Sequence, residues 1–310
     1  MRLWLICGVA LAGLCLASLG LGAASLFDGD GGWLLVVSRI PRTAAALLAG
    51  AGLALAGVVV QQVVQNRLVE PALTGTPEAA MLGLLAVTLI APGLAVAGKM
   101  LIAAVCALIG MAGFLALARR VPPQDPMLLP IVGLIYGGIL GAMTVYVAWT
   151  ADLMQFLGIW QMGEFSAVTQ GRYEWLWVIA ALALGLYRIA DRITILGLGR
   201  TQARALGLNY GQTRMLGLVI VATLTALVLV TVGNFPFVGL VAPNLVSRWR
   251  GDNLRANLPL IAFGGAVLVL SADIIGRLVV HPFEIPAATV IAVFGAAVFL
   301  WLLHAAPRRA

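Results

Sequence analysis

The sequence predicts an all-α, polytopic membrane protein of about ten transmembrane helices, and three observations predict it. Of its 310 residues, 62% are hydrophobic and 10% are charged, where a soluble domain has roughly half and a quarter. The apolar residues gather in long runs separated by Gly, Pro and charges. The basic residues between those runs divide unequally between the two sides of a threaded bilayer. At about 20 residues per crossing, about ten crossings consume most of the hydrophobic residues. That leaves one transmembrane domain over residues 1–310, with short loops and no soluble domain.

The runs lie at 3–24, 43–61, 73–90, 94–118, 128–149, 175–190, 215–232, 237–249, 258–276 and 286–303. The first follows Arg2 and ends near Ala23-Ala24-Ser25, as a signal peptide does. It is longer than the usual apolar core of one, and its removal leaves an odd number of spans, so it reads as a retained helix. Threading from an inside N-terminus puts fourteen bases on the inner side: Arg2, Arg67, Arg119, Arg120, Arg188, Arg192, Arg200, Arg204, Arg214, Arg248, Arg250, Arg255, Arg308 and Arg309. Five fall outside, namely Arg39, Arg42, Lys99, Arg172 and Arg277. The positive-inside bias therefore places both termini in the cytoplasm.

The composition also excludes function classes. The 19 bases and 12 acids give a net charge of +7, but the bases are scattered rather than clustered, which argues against nucleic acid as a partner. Cys7, Cys15 and Cys106 lie in apolar runs without CxxC spacing and read as packing residues. Two His residues, no HExxH, no GxSxG and no close carboxylate pair in a span leave neither a catalytic set nor a metal-ligand cluster, and no cofactor is expected. The sole Lys sits in Gly98-Lys99-Met100, outside any GxxxxGK[ST] motif, so the chain carries no nucleotide-binding loop of its own. Transport driven by ATP would need a motor on another subunit.

Two acids lie inside apolar runs, Glu78 near the start of the third and Asp273 in the ninth. A carboxylate at that depth needs a partner or a watery setting. Asp273 precedes Arg277 by four residues, which puts an ion pair on one helical face; a proton-relay role for Asp273 is the other reading. The segment Gly233-Asn234-Phe235-Pro236-Phe237-Val238-Gly239 interrupts an apolar stretch and leaves a short span behind it. It reads either as a break lining a cavity or as a tight turn. Gly133, Gly137 and Gly141 share one face of the fifth run, and Ala46, Gly50 and Ala54 one face of the second. Small residues at this spacing allow close helix approach, and the first set could also border a translocation path together with Pro236.

The loop spanning about 191–214 carries the clearest local signals. Thr201 can cap a short helix, Gly207 suits the position just past its end, and Asn209 can cap the next helix. The apolar residues Ala205, Leu206 and Leu208 fit either a docked partner or the membrane surface.

Five motifs together resemble the permease subunits of ATP-binding-cassette importers for iron-siderophores, haem and cobalamin. They are Arg39-Ile40-Pro41-Arg42; Gln65-Asn66-Arg67-Leu68-Val69-Glu70-Pro71 through Gly75; Ala203-Arg204-Ala205-Leu206-Gly207-Leu208-Asn209; Phe237-Val238-Gly239-Leu240-Val241-Ala242-Pro243; and Ala272-Asp273 to Arg277 followed by Glu284-Ile285-Pro286. Three positions depart from the common pattern: Asn244 after Pro243, Ala296-Ala297 after Gly295, and Thr76-Pro77-Glu78 in place of a Ser/Gly-rich stretch. Asn66-Arg67, Gly75-Thr76, Pro243-Asn244 and the Gly163 to Glu174 loop look more like the branch handling ferric catecholate-type siderophores than the cobalamin branch.

The resemblance implies a ten-helix permease of the bacterial plasma membrane that pairs with an identical or related second permease. Two ATP-binding subunits would lie below and a substrate-binding protein above. It implies that Thr201, Arg204, Leu206, Gly207 and Asn209 form coupling helices against the ATPase, and that Arg39, Arg42 and Arg277 face acidic residues of the binding protein. The cargo would be a ferric siderophore moved inward without covalent change. The alternatives are cobalamin or haem as cargo, or a proton-coupled secondary transporter using Asp273 and Glu78.

Overall fold

The computed structural model describes residues 2–22, 31–118, 120–121, 128–171, 173–280 and 283–304. Ala23-Ala24-Ser25, Arg119, Arg172, His281, Arg308 and Arg309 lie outside the described residues. Among the described residues the chain is helical without strands. Each of the ten apolar runs finds one long helix: α1 (Arg2–Gly20), α3 (Ile40–Val64), α4 (Thr76–Ile90), α5 (Val96–Ala118), α6 (Leu128–Thr150), α8 (Trp177–Gly197), α10 (Tyr210–Val232), α11 (Val238–Arg250), α12 (Leu254–Val279) and α13 (Ala287–His304). Three short helices are added, α2 (Gly31–Leu34), α7 (Met154–Gln161) and α9 (Arg200–Ala205). By length and composition, five helical stretches are sufficient to cross a membrane: Gly31–Val64, Val96–Ala118, Leu128–Thr150, Tyr210–Val232 and Leu254–Val279. The figure of ten is thus approximate, and α11 shows why: its 13 residues reach only about 20 Å at 1.5 Å per residue.

The second span starts earlier than the apolar pattern suggests. The α2 helix continues through a π-helical turn at Leu35–Arg39 into α3, so Arg39 sits within a helix rather than in an outer loop. Pro41 explains the turn. It has no N–H for the carbonyl of Val37, and that carbonyl instead accepts the N–H of Gln170 at 3.0 Å.

The α3 helix is the central pillar, packed against α8, α10, α11 and α12. Small residues permit this. A Cβ at Gly50 would fall on the backbone of Gly265 in α12, and one at Gly57 on the backbone of Gly239 in α11. Gly50 and Ala54 meet Gly265, with Ala46 buried beside them, so the small-residue face of the second run is a packing face. Cys106 packs against Gly83, and all three cysteines are free thiols.

Three interruptions of the helices come together inside the bundle. The first follows α3, where Gln65 turns left-handed (φ 59°) and the chain returns through a short 3-10 turn, Pro71–Thr74, to Gly75 (φ 68°). The second is the end of α7, and the third is the Gly233–Phe237 turn between α10 and α11. Asn234 donates its N–H to the Trp160 carbonyl at 3.1 Å, and Glu164 donates to Val232 at 3.0 Å, joining the second to the third. The buried Glu70 carboxylate accepts the Phe237 N–H at 3.0 Å at the start of α11, joining the first to the third. The carbonyl of Gly239, which Pro243 cannot serve, takes Gln61 Nε2 at 3.3 Å. Asn244 Nδ2 donates to Arg67 O at 2.9 Å. The Gly/Pro segment is therefore a tight turn that also lies against a cavity.

Candidate functional site

The cavity borders the glycine face of α6. It has a volume of about 350 Å³ and is lined by Leu73, Glu78, Gly137, Gly141, Gln161 and Asn234, among others. The three glycines play different parts. A Cβ on Gly133 would strike the Leu73 carbonyl, so Gly133 is required for packing. Cβ atoms on Gly137 and Gly141 would rest 3.5 Å and 3.7 Å from the Glu78 side chain, at ordinary contact distance, so these two leave room for no more than a methyl group beside a carboxyl. Pro236 does not line this cavity; Asn234, from the same turn, does.

The three outer arginines expected to face a partner are turned inward. Arg277 is 6% exposed and Asp273 2%, and they form the expected pair one helical turn apart. Arg277 also donates to Ser18 O at 3.0 Å, Ser18 Oγ at 2.8 Å and Leu21 O at 3.1 Å. Arg39 donates to Leu19 O at 2.7 Å and Gly20 O at 3.2 Å. Guanidinium groups thus satisfy the unpaired carbonyls at the end of α1. Arg42 bridges Asp273, 2.7 Å from Oδ1, and Glu284, 2.9 Å from Oε2. Of the three, Arg42 lies nearest to a more exposed acid, since Glu284 is 36% exposed. A small pocket of about 140 Å³ opens here, bounded by Ser38, Arg39, Arg42, Arg277 and Glu284.

At the segment expected to couple to an ATPase, α9 and its flanks form a compact helix, turn and helix. Thr201 is not the cap. Gly199, at φ 99°, reverses the chain and takes the N-cap position, and Thr201 sits exposed in the first turn. The end of α9 follows expectation: Gly207 is left-handed (φ 78°), its N–H bonds Arg204 O at 2.9 Å, and the Leu208 N–H bonds Ala203 O at 2.9 Å. This is a Schellman closure. Asn209 Oδ1 then accepts the Gln212 N–H at 3.2 Å and caps α10. The turn buries Ala203 and exposes Arg204, Ala205 and Leu206, the last at 62%. A cleft of about 660 Å³ beside it is lined by Arg200, Arg204, Tyr210, Arg214, Leu115 and Met215, among others.

Sequence reasoning does not single out Glu70 as an acceptor, nor the amide contacts of Gln61 and Asn244. Their sequence signal is the pairing of two proline-containing segments, 65–71 and 237–243, each needing outside partners for its backbone. Glu78 is visible in the sequence only as an acid within an apolar run and a departure from the common motif.

The chain matches the model of the FecCD transport family over residues 4–305. It is 38% identical to the petrobactin import system permease protein FatD of Bacillus anthracis, over 91% of this chain and 87% of that one. It is equally 38% identical to the ferric-anguibactin transport system permease protein FatD of Vibrio anguillarum, over 94% and 95%. The vitamin B12 import system permease protein BtuC of Citrobacter koseri is 34% identical, over 94% and 88%. A solved structure described as an inward-facing conformation of a metal-chelate type ABC transporter shares the fold with a TM-score of 0.82, at 24% identity, covering 98% of this chain and 99% of that one. With the family match running nearly end to end and the same helical fold in place, the chain belongs to the FecCD transport family, whose members are membrane permeases rather than enzymes.

Proposed function

We propose that this chain is the permease of an ATP-binding-cassette importer that carries a ferric siderophore of the catecholate type into the bacterial cytoplasm. The observation that carries the cargo assignment is the 38% identity, over 91% and 94% of the chain, to permeases named for petrobactin and ferric-anguibactin. The exposed apolar side of α6, with Ile135, Ile139, Tyr146 and Trp149, suits a second permease across a central path, and the rest of the apolar surface suits lipid. The Arg204–Asn209 turn presents the coupling surface to two ATP-binding subunits, with both termini on the same cytoplasmic side.

On the outer side, Arg42 is the docking residue within reach. An acidic side chain of the binding protein entering the small pocket would compete with Glu284 for the Arg42 guanidinium, while Arg39 and Arg277 hold the end of α1 beneath it. Docking of this kind weakens as salt rises. Uptake by a strain lacking the chromosomal copy, supplied with this chain and its partner subunits, tests the cargo. We expect labelled ferric catecholate-type chelates to accumulate, and cobalamin and haem not to. Accumulation of cobalamin alone would favour the reading suggested by the 34% identity to BtuC and overturn the iron assignment.

A further inference from the structure

Glu78 stands out among the polar groups of the bundle. Its Oε2 is buried and has no hydrogen-bond partner among the described residues. It borders the 350 Å³ cavity, and none of the described residues lining that cavity is basic. A buried acceptor left without a donor is costly, and a carboxyl in such a setting calls for a partner that brings its own hydrogen. The neighbouring groups sharpen the requirement. Thr144 Oγ1 already donates to Leu140 O at 2.9 Å, so toward the cavity it offers only acceptor capacity. Gln161 and Asn234 add side-chain amides, each with an oxygen acceptor and an NH2 donor, but neither reaches Glu78 Oε2, which stays without a donor among the described residues. The facing wall is bare backbone at Gly137 and Gly141 with Leu134, Met81 and Val145 around it, which suits methylene groups.

We infer that this cavity is a cargo subsite in which Glu78 receives a protonated amine on an alkyl arm of the chelate. The inference rests on the translocation reading given above, and it adds a specificity-determining residue to it. The volume is that of an arm rather than of a whole iron chelate, so the subsite acts on passage or orientation while the metal centre stays outside it. The location fits: half-helix ends and chain breaks from three segments meet at this cavity, an arrangement that in transporters surrounds substrate near the middle of the membrane.

Two ferric chelates with identical iron-binding groups test this, one carrying a free amine on an alkyl arm and the other the same amine acetylated. We expect the complete importer to favour the amine form, and Glu78→Gln to lower the amine-to-acetyl uptake ratio about tenfold, the scale of one lost charge-assisted hydrogen bond. Glu78→Asp should retain part of the ratio. Gly137→Ala, whose added methyl fits at ordinary contact distance, should lower the ratio with the protein inserted at parental level, and it serves if Glu78→Gln reduces the amount in the membrane. An unchanged ratio in Glu78→Gln and Gly137→Ala would overturn the inference while leaving the importer assignment standing. Uptake of neither chelate by the parent would contradict the importer assignment itself and remove the subsite with it.

Discussion

Asp273→Ala is expected to destabilise the folded permease by about 3–5 kcal/mol, the cost of leaving a buried charge uncompensated. The carboxylate is 2% exposed and holds two guanidiniums at once, Arg42 from α3 and Arg277 from its own helix. Removing it leaves Arg277 with uncharged partners, the carbonyls of Ser18, Leu21 and residue 273 and the Ser18 hydroxyl, and leaves Arg42 with Glu284 among the described residues. Because Arg277 also binds the end of α1, the loss propagates to the seam joining α1, α3 and α12. Thermal unfolding in detergent reads this directly, and a second variant combining Asp273→Ala with Arg277→Met should recover part of the loss by removing the stranded charge. A melting temperature equal to the parent in Asp273→Ala would show that the network contributes nothing.

Gly207→Pro is expected to abolish ATP-driven uptake while leaving the permease inserted and folded. The position has φ 78°, which proline cannot adopt, and its N–H closes α9 on Arg204. Breaking that closure frees Arg204 and Leu206 from their fixed presentation. Nothing lies within 4 Å of an added Cβ at this surface position, so the bundle is undisturbed. Gly207→Ala costs only the strain of a left-handed backbone, about 1–2 kcal/mol, and should leave most of the uptake. Arg204→Glu should uncouple by charge instead of by shape. The readout is binding-protein-stimulated ATPase activity alongside iron uptake, and parental values of both in Gly207→Pro would remove the turn from the coupling role.

These two cases also mark what is legible in the sequence. The Gly207 closure and the Asn209 cap depend on residues within five positions, so residue type and spacing suffice to read them. The Thr201 cap fails on the same scale because Gly199, with its positive φ, ends the reversal two residues earlier. The long helices follow from apolar runs, since each run must bury or shield its own backbone. Apart from the Asp273–Arg277 pair four residues apart, the inward turn of Arg39, Arg42 and Arg277 is not legible, because their other partners are carbonyls at the end of α1 up to 259 positions away and acids up to 242 positions away. Helix α7 is missed because eight residues of mixed polarity give no run. The contact between Glu78 and the glycine face of α6 is likewise a long-range product of packing that spacing alone does not disclose.

The central claim is that this permease is a conduit that takes its energy from separate ATP-binding subunits. The most direct measurement is accumulation of labelled ferric chelate by vesicles that contain the purified permease, with and without those subunits, supplied with loaded binding protein outside and ATP inside. We expect uphill accumulation only when the ATP-binding subunits are present, and we expect it to survive collapse of the proton gradient. Accumulation by the permease alone, lost when the gradient collapses, would contradict the account and favour a proton-coupled carrier.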